Sequence, residues 1–406
     1  MSPRQSHRQH GFLFSSILSV CAVLAVPQAS ALAKLALDRP SIAATEASAE
    51  DSPDRSLPEA ARAAEEQAGA LYAAGRYGEA LGAQQASVAI HRRLLALDPS
   101  QRLTLAASLH NLGVVFIRLG RKAEAIPPTE ESLALYRAEA AQRGGPLSPA
   151  HERPLRNLVL LYFESNRAEE ALPLANELAR LHQARGKEDP LSRAERIDVL
   201  NLRASLLVAL NRPQEALGDL DTAVSLARRL ARQDPNNLGL QYGLAGALVN
   251  LSQVADLLGR FGEAVGPAQE AETVLRQLAA LQPMLRGDWA KALSRLGHAY
   301  AALGEPARAL PPLREAIDLF RSLDRSGASE PLAVEVGGFR DDLAHALETE
   351  AEVHQALRQP TEARAAGEEA LALYSALARG DARYERDVER TRARLTSMPQ
   401  ISPVRR

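Results

Sequence analysis

The chain has 406 residues; 46% of them are apolar and only 4% are aromatic, so Ala and Leu must do most of the packing. A formal net charge of −2, with acids and bases evenly mixed, excludes an electrostatic nucleic-acid binder. The only cysteine is Cys21, so the chain beyond it has no disulfide, thiolate nucleophile or cysteine-based zinc site.

The N-terminus has the pattern of a secretory signal peptide. Residues 1–10 are polar and basic, residues 12–26 are apolar, and a run of small residues follows up to Ala33. We therefore predict a signal peptide over 1–33 and export to the periplasm or the medium. A membrane anchor is the alternative, but the apolar run is shorter than the ~20 residues that span a bilayer. A lipoprotein would use Cys21, for which Val20 is a poor preceding residue.

The composition then changes twice more along the chain. Residues 34–56 are rich in acids, Pro and Ser and are predicted to form a flexible linker. Ordered structure is expected from Ser56, which with Glu59 forms a potential capping box. Residues 57–379 carry a repeated helical pattern, 380–398 form a charged amphipathic helix that would cap the last repeat, and 399–406 are expected to be a disordered tail.

The repeat is visible as two series of residues with one period. A turn residue stands five positions before a recurring alanine in six of seven units, and Arg358 breaks the rule in the seventh. A series of prolines with the same period is expected to stop the second helix of each unit. The alanines are Ala80, Ala125, Ala171, Ala216, Ala264, Ala309 and Ala363; the turn residues are Gly75, Gly120, Asn166, Asn211, Gly259 and Gly304; the prolines are Pro99, Pro146, Pro190, Pro235, Pro283 and Pro331.

Between these markers the apolar residues step by four and three, as on one face of a helix. Leu105, Leu109, Leu112, Phe116 and Leu119 are the example in the second unit. Each unit is therefore a helical hairpin with a period of 44 to 54 residues. A lone hairpin cannot bury its apolar stripe, so neighbouring hairpins must stack.

The signature of each hairpin resembles the tetratricopeptide repeat, in the long-period form of bacterial and kinesin-light-chain-like proteins. The residues that carry the resemblance are Leu109 to Gly113, then Phe116, Gly120 and Ala125; Leu293, Leu296, Gly297, Tyr300, Gly304 and Ala309 match equally well. It implies an all-α, right-handed superhelical solenoid of seven TPR-like hairpins with a C-terminal capping helix. The period also lies in the range of HEAT and armadillo repeats, the alternative fold.

The resemblance further implies that the first helix of each hairpin lines a concave groove. Asn111, Asn157 and Asn250 recur between the two leucines of the signature, and Arg295 stands there in the sixth unit. They resemble the asparagine ladder of peptide-binding TPR superhelices, since an amide can both donate to and accept from a peptide backbone. The alternative is that they are polar residues on a wet face.

Basic residues offer a second possibility in the same groove. Asn250, Lys291 and Arg295 resemble two repeats of the TPR clamp that holds a C-terminal carboxylate. The preceding repeat departs from that pattern, because it has Asn201 and Ser205 where the clamp needs Lys and Asn. Arg156, with Lys291 and Arg295, would make parts of the groove basic. Charged faces are also commonly just solvated.

Motifs for catalysis are missing from the sequence: it has no phosphate-binding glycine loop, nucleophile elbow or H-E-x-x-H motif. We therefore predict an exported protein–protein interaction scaffold that binds a peptide or protein in the concave groove. It would not be an enzyme and would need no metal or cofactor, and no nucleic acid or membrane span is expected. The alternative is a structural solenoid that assembles with itself, as a homo-oligomer without a separate ligand.

Overall fold

A computed structural model describes residues 56–144, 149–184, 190–326 and 339–398. The predicted signal peptide with Cys21, the linker up to residue 55, Pro146, Pro331 and the tail 399–406 lie outside the described residues. In the described ranges the chain forms α-helices and short 3-10 turns, with no strand.

Fifteen α-helices occur in the described residues, and the prediction of an all-α fold is confirmed. They are α1 (Leu57–Ala73), α2 (Tyr77–Leu97), α3 (Arg102–Arg118), α4 (Lys122–Arg143), α5 (Glu152–Glu164), α6 (Ala168–Ala184), α7 (Pro190–Ala209), α8 (Pro213–Gln233), α9 (Leu238–Leu257), α10 (Phe261–Leu281), α11 (Arg286–Ala302), α12 (Pro306–Ser326), α13 (Arg340–Ala356), α14 (Pro360–Ala378) and α15 (Glu385–Ser397).

The first fourteen helices form hairpins whose corners have a left-handed residue. Six corners are the predicted ones: Gly75, Gly120, Gly259 and Gly304 have φ values of 71–83°, and Asn166 and Asn211 have 57°. Arg358, which breaks the sequence rule, also adopts a φ of 57°. The amide after it, of Gln359, donates to the carbonyl of His354 at 2.8 Å, closing the same turn as in the other repeats. Packing of the neighbouring helices thus holds Arg358 in the left-handed conformation, although that conformation is unfavourable for arginine.

An arginine directly follows five of the seven corners and immediately precedes the second helix, a feature that was not predicted from the sequence. It pairs with the glutamate three residues on, as in Arg121–Glu124 at 2.6 Å and Arg212–Glu215 at 2.6 Å. The glutamate also lies in the first turn, where the helix dipole favours an anion. In the third repeat the Arg167 guanidinium lies 4.3 Å from the centroid of the Tyr162 ring on the first helix. These pairs are exposed, so water screens them and each adds little to stability.

Three of the four predicted helix-stopping prolines in the described ranges behave as expected. Pro99, Pro235 and Pro283 each stand two residues after the last residue of α2, α8 and α10 respectively. Pro190 instead opens α7, where proline's missing N–H costs nothing. At the N-terminus α1 begins at Leu57 as predicted, but the Ser56 side chain makes no capping hydrogen bond.

The chain divides into two compact units. The N-terminal unit ends at Leu181 and holds α1 to α5 and most of α6; the C-terminal unit runs from His182 and holds α7 to α15. In the C-terminal unit each first helix contacts the second helix of its own repeat, and α9, α11 and α13 also contact the second helix of the repeat before. The first helices α7, α9, α11 and α13 contact one another in sequence. The first helices there form one inner layer.

Small residues let the helices approach closely. The recurring alanines are all completely buried, which explains their periodicity. Gly113 in α3 and Gly297 in α11 occupy the same place in their repeats, and a Cβ at either would collide with the second helix. At Gly297 it would lie 2.5 Å from Leu313 Cγ and 3.1 Å from the Ala309 carbonyl oxygen.

Candidate functional site

The candidate surface is one stripe of each first helix, here called the inner stripe. It comprises the residues thirteen, nine and six positions before the corner, whose spacing of four and three puts them on one helix face. In the N-terminal unit its members are Arg62, Glu66 and Gly69 on α1, where Arg62 and Glu66 pair with each other, then Ala107, Asn111 and Val114 on α3, and Arg153, Asn157 and Leu160 on α5. The predicted asparagines stand at its centre.

The two asparagines of the N-terminal unit are accessible. Asn111 is exposed and Asn157 is half-buried, and neither amide hydrogen-bonds to another residue of the described ranges. Each has a half-buried apolar neighbour one turn further along its helix, Val114 and Leu160 respectively. On α3 and α5 the stripe therefore combines amides that have no partner among the described residues with partly exposed apolar surface. This combination suits an extended peptide.

Basic side chains lie on the same first helices as these amides. Arg153 is exposed and forms no ion pair with another described residue. The Nε of Arg118 donates to the hydroxyl of Tyr72 at 2.8 Å. The predicted site residue Arg156 lies 3.8 Å from Glu152 and is about three-quarters buried, so its charge is already compensated.

His110 lies beside this surface as a neutral imidazole. Burial, and secondarily the charge of Arg153, lowers its pKa from the ordinary 6.5 to about 4. Its Nδ1 is enclosed and has no hydrogen-bond partner within the described residues.

We expect the Cε1 proton of His110 in NMR spectra to titrate near pH 4, assigned by comparison with His110→Gln. Because the folded pKa lies below the unfolded one, the unfolded chain binds this proton first, and the contribution to stability is present above pH 6.5. It should be lost as the pH falls towards 4. A midpoint near the ordinary value would contradict the buried, neutral state.

In the C-terminal unit the corresponding positions are closed. Asn250 is only 5% exposed, and its Nδ2 donates to Asn201 Oδ1 at 3.4 Å. The other amide atoms of this pair, Asn250 Oδ1 and Asn201 Nδ2, are buried without a partner among the described residues, as is Gln253 Nε2. At this position of the C-terminal unit the asparagine is therefore not accessible, because it lies in a polar contact between the neighbouring first helices α7 and α9.

The two basic residues of the predicted clamp are engaged internally. Arg295 is 3% exposed; burial lowers its pKa, and the charges of Asp256 and Asp342 oppose that effect. Lys291 Nζ lies 3.6 Å from Asp342 Oδ2 and 6.0 Å from the centroid of the Phe339 ring. The structure therefore does not bring Asn250, Lys291 and Arg295 together on an open surface. Their role in binding stays a prediction.

A hydroxyl, an imidazole and a carboxylate also meet in the C-terminal unit. The hydroxyl of Tyr374 lies 2.8 Å from His345 Nδ1, and His345 Nε2 lies 3.3 Å from Asp341 Oδ1. Tyr374 is completely buried, and burial raises the pKa of its hydroxyl well above the ordinary value. A substrate has no access to this hydroxyl, so the arrangement is part of the core.

None of the helices in the described residues is long and apolar enough to cross a membrane. Two segments match models of the tetratricopeptide repeat family, residues 59–138 and residues 289–323. No curated protein matches the chain in sequence.

Solved structures with a similar fold include several repeat proteins. A tetratricopeptide repeat protein from Parabacteroides merdae is 15% identical over 82% of this chain and 99% of its own, with a TM-score of 0.43. A putative kinesin light chain from Podospora anserina with nearly identical TPR-like repeats is 19% identical over 57% and 99%, with a TM-score of 0.41. YrrB, a TPR protein with an unusual peptide-binding site, is 17% identical over 56% and 91%, with a TM-score of 0.34.

The family matches fall on the first two repeats and the sixth, and the hairpins between and after them have the same corners and the same buried alanines. The chain therefore contains tetratricopeptide repeats, matched directly over residues 59–138 and 289–323.

Proposed function

We propose that this protein is an exported interaction scaffold that binds an extended peptide, or an extended segment of a protein, on the inner stripe of its N-terminal unit. The observation that carries the proposal is the state of Asn111 and Asn157. Both amides are accessible and have no hydrogen-bond partner among the described residues, whereas Asn250 is buried and paired with Asn201.

The chemistry of the stripe supports this function. An asparagine amide offers two donors and an acceptor, so it can bind a peptide N–H and C=O at once without reading a side chain. The neighbouring Val114 and Leu160 leave apolar surface for the partner's own side chains. Asparagine in a helix interior costs some tenths of a kcal/mol relative to better helix formers. Two accessible asparagines at the same position of neighbouring repeats therefore favour a role in binding.

Export is part of the proposal and is supported by the signal-peptide pattern of residues 1–33. The test is fractionation of the native host, with and without residues 1–33. Export is supported if the chain expressed with residues 1–33 is found outside the cytoplasm and the chain expressed without them stays inside. Cytoplasmic protein in both cases would contradict export.

We expect the double variant Asn111→Ala/Asn157→Ala to lose the partner that the wild type captures by proximity labelling or pull-down in its native compartment. The physical reason is the loss of both amide pairs to the peptide backbone. Circular dichroism should show equal helicity, because neither side chain supports the fold. Gln85→Ala, an exposed amide on the second helix α2, is the matched control and should leave capture unchanged.

Equal capture by the double variant and the wild type would exclude the inner stripe and direct attention to the second helices or the ends. The alternative function, self-assembly without a ligand, predicts a different result. In that case light scattering would show the mass rising with protein concentration, and no other protein would be captured.

A further inference from the structure

A carboxylate and an imidazole on α13 are buried together beneath the final helix segment. Asp341 Oδ1 lies 3.3 Å from His345 Nε2, and the two side chains are 13% and 8% exposed. The other imidazole nitrogen, His345 Nδ1, lies 2.8 Å from the hydroxyl of Tyr374 on α14. The ring of Tyr374 stacks on that of Tyr384, in the turn before α15, with 6.5 Å between the ring centroids. The pair of Asp341 and His345 therefore lies where α13, α14 and the α15 segment meet.

Asp341 differs from the other acids of this contact in its partner. Four acids of α13 and α15 each pair with a permanently charged side chain: Asp342 with Lys291 of α11, Glu348 with Arg390, Asp387 with Arg390, and Glu352 with Arg394. Asp341 pairs with no lysine or arginine in the described part of the chain, and the imidazole of His345 is its one ionisable basic partner. Its charge is therefore balanced only when the imidazole is protonated.

Docking of α15 makes a negative charge on this pair more costly. Burial, together with the charges of Asp342 and Asp387, raises the pKa of Asp341, and His345 opposes that effect. Asp387 belongs to α15, so the docked helix supplies one of the two like charges and also excludes water. A proton on either the carboxylate or the imidazole makes the pair neutral, and the two groups titrate as a coupled pair. Docking of α15 and uptake of a proton therefore favour each other.

The direction of the pH effect follows from this linkage. Because the docked state binds the proton more tightly than the open state, docking is strengthened as the pH falls from neutral and weakened as the pH rises through the raised pKa of Asp341. The ion pairs of α15 do not change in this range. Although burial opposes them, Arg390 and Arg394 hold the pKa of Glu348 below the ordinary 4.5, so its carboxylate stays ionised above about pH 5.

We propose that the Asp341–His345 pair is a proton-linked latch for α15, which mild acid closes more tightly on the last hairpin and neutral pH lets open more often. A helix of 13 residues is marginal by itself, so α15 can open without the rest of the unit. Each opening uncovers the apolar end of the last hairpin, where Leu395 packs against Gly367. The latch lies in the C-terminal unit and goes beyond the proposed function, since it does not depend on peptide binding by the inner stripe.

Hydrogen exchange of the full chain, followed by mass spectrometry, measures this opening when each rate is divided by the intrinsic amide rate at the same pH. Protection of the α15 amides should rise about three- to tenfold from about pH 7.5 to about pH 5, and protection of α12 should not. Asp341→Asn should give high protection at both pH values, because asparagine is neutral. Asp318→Asn removes an acid on α12 that is 80% exposed, and this matched control should keep the rise.

His345→Gln tests the imidazole separately and still answers the question if circular dichroism shows that Asp341→Asn does not fold. Asp341 must then bind the proton alone, so the rise in protection should move to lower pH. The latch is overturned if the wild type shows no rise, or if α12 shows an equal rise. It is also overturned if the rise is unchanged in folded Asp341→Asn or in His345→Gln.

Discussion

Replacing Glu348 by alanine should lower the free energy of unfolding of the C-terminal unit by about 3 kcal/mol, the cost of breaking a largely buried ion pair from one side. Glu348 lies on α13 and is 8% exposed. Arg390 of α15 donates to both its oxygens, at 3.0 and 2.8 Å, and Arg394 donates to Oε1 at 2.9 Å. Without the carboxylate, Arg390 keeps only its ion pair with Asp387, and Arg394 keeps only its ion pair with Glu352. Urea unfolding followed by circular dichroism would measure the loss.

The matched control is Glu369→Ala, which removes the partner of Arg321 on the outer surface. Both members of that pair are about 40% exposed, so the loss should stay below about 1 kcal/mol. Limited proteolysis should release α15 early in the Glu348 variant alone. Equal losses in the two variants would show that Glu348 does not hold the last helix.

The same carboxylate predicts a response to acid. Burial alone would raise the pKa of Glu348, but the hydrogen bonds and charge of Arg390, with the charge of Arg394, hold it below the ordinary 4.5. A folded pKa below the unfolded one gives stability that is present above pH 4.5 and is lost as the pH falls through the folded value. The difference in stability between wild type and Glu348→Ala should therefore shrink below pH 4.5.

Gly297→Ala should destabilise the C-terminal unit by about 2 kcal/mol, although alanine is the better helix former. The added methyl group would lie 2.5 Å from Leu313 Cγ and 3.1 Å from the carbonyl oxygen of Ala309. The leucine can move only within a packed core, and the carbonyl belongs to α12 itself. Thermal or urea unfolding would give the difference from wild type.

Gly218→Ala is the control, because Gly218 is an exposed glycine inside α8 and no atom lies within 4 Å of the position that its methyl group would take. It should stabilise the same unit by about 1 kcal/mol, through helix propensity and the restricted unfolded chain. Stabilisation by both substitutions would mean that the first and second helices of the sixth repeat are not in close contact at Gly297.

The hairpins and their corners were predictable from the sequence because they depend on local chemistry repeated seven times. A left-handed corner needs Gly or Asn, a buried contact needs Ala, and each recurs at the same period. Arg358 shows the limit of this reasoning: its residue type argues against the corner, yet the neighbouring helices fix its backbone at a φ of 57°.

The accessibility of the asparagines was not predictable, because it depends on how closely the first helices lie. Asn111 and Asn250 stand at equivalent positions between two leucines, and the sequence gives no reason to separate them. The structure leaves the first exposed and buries the second beside Asn201. Burial of Arg295 has the same origin: its charge suggests a surface residue, but Asp256 and Asp342 from the adjoining first helices attract it inward.

The final helix also has a consequence for the length of the array. Leu395 and Met398 of its segment are buried against Gly367, whereas Arg386, Glu389 and Arg392 are exposed. An eighth hairpin added to this end would meet charge instead of an apolar stripe, and desolvating those groups would oppose its stacking. The helix therefore covers the apolar face of the last hairpin, and a longer designed array would have to carry new hairpins between α14 and α15.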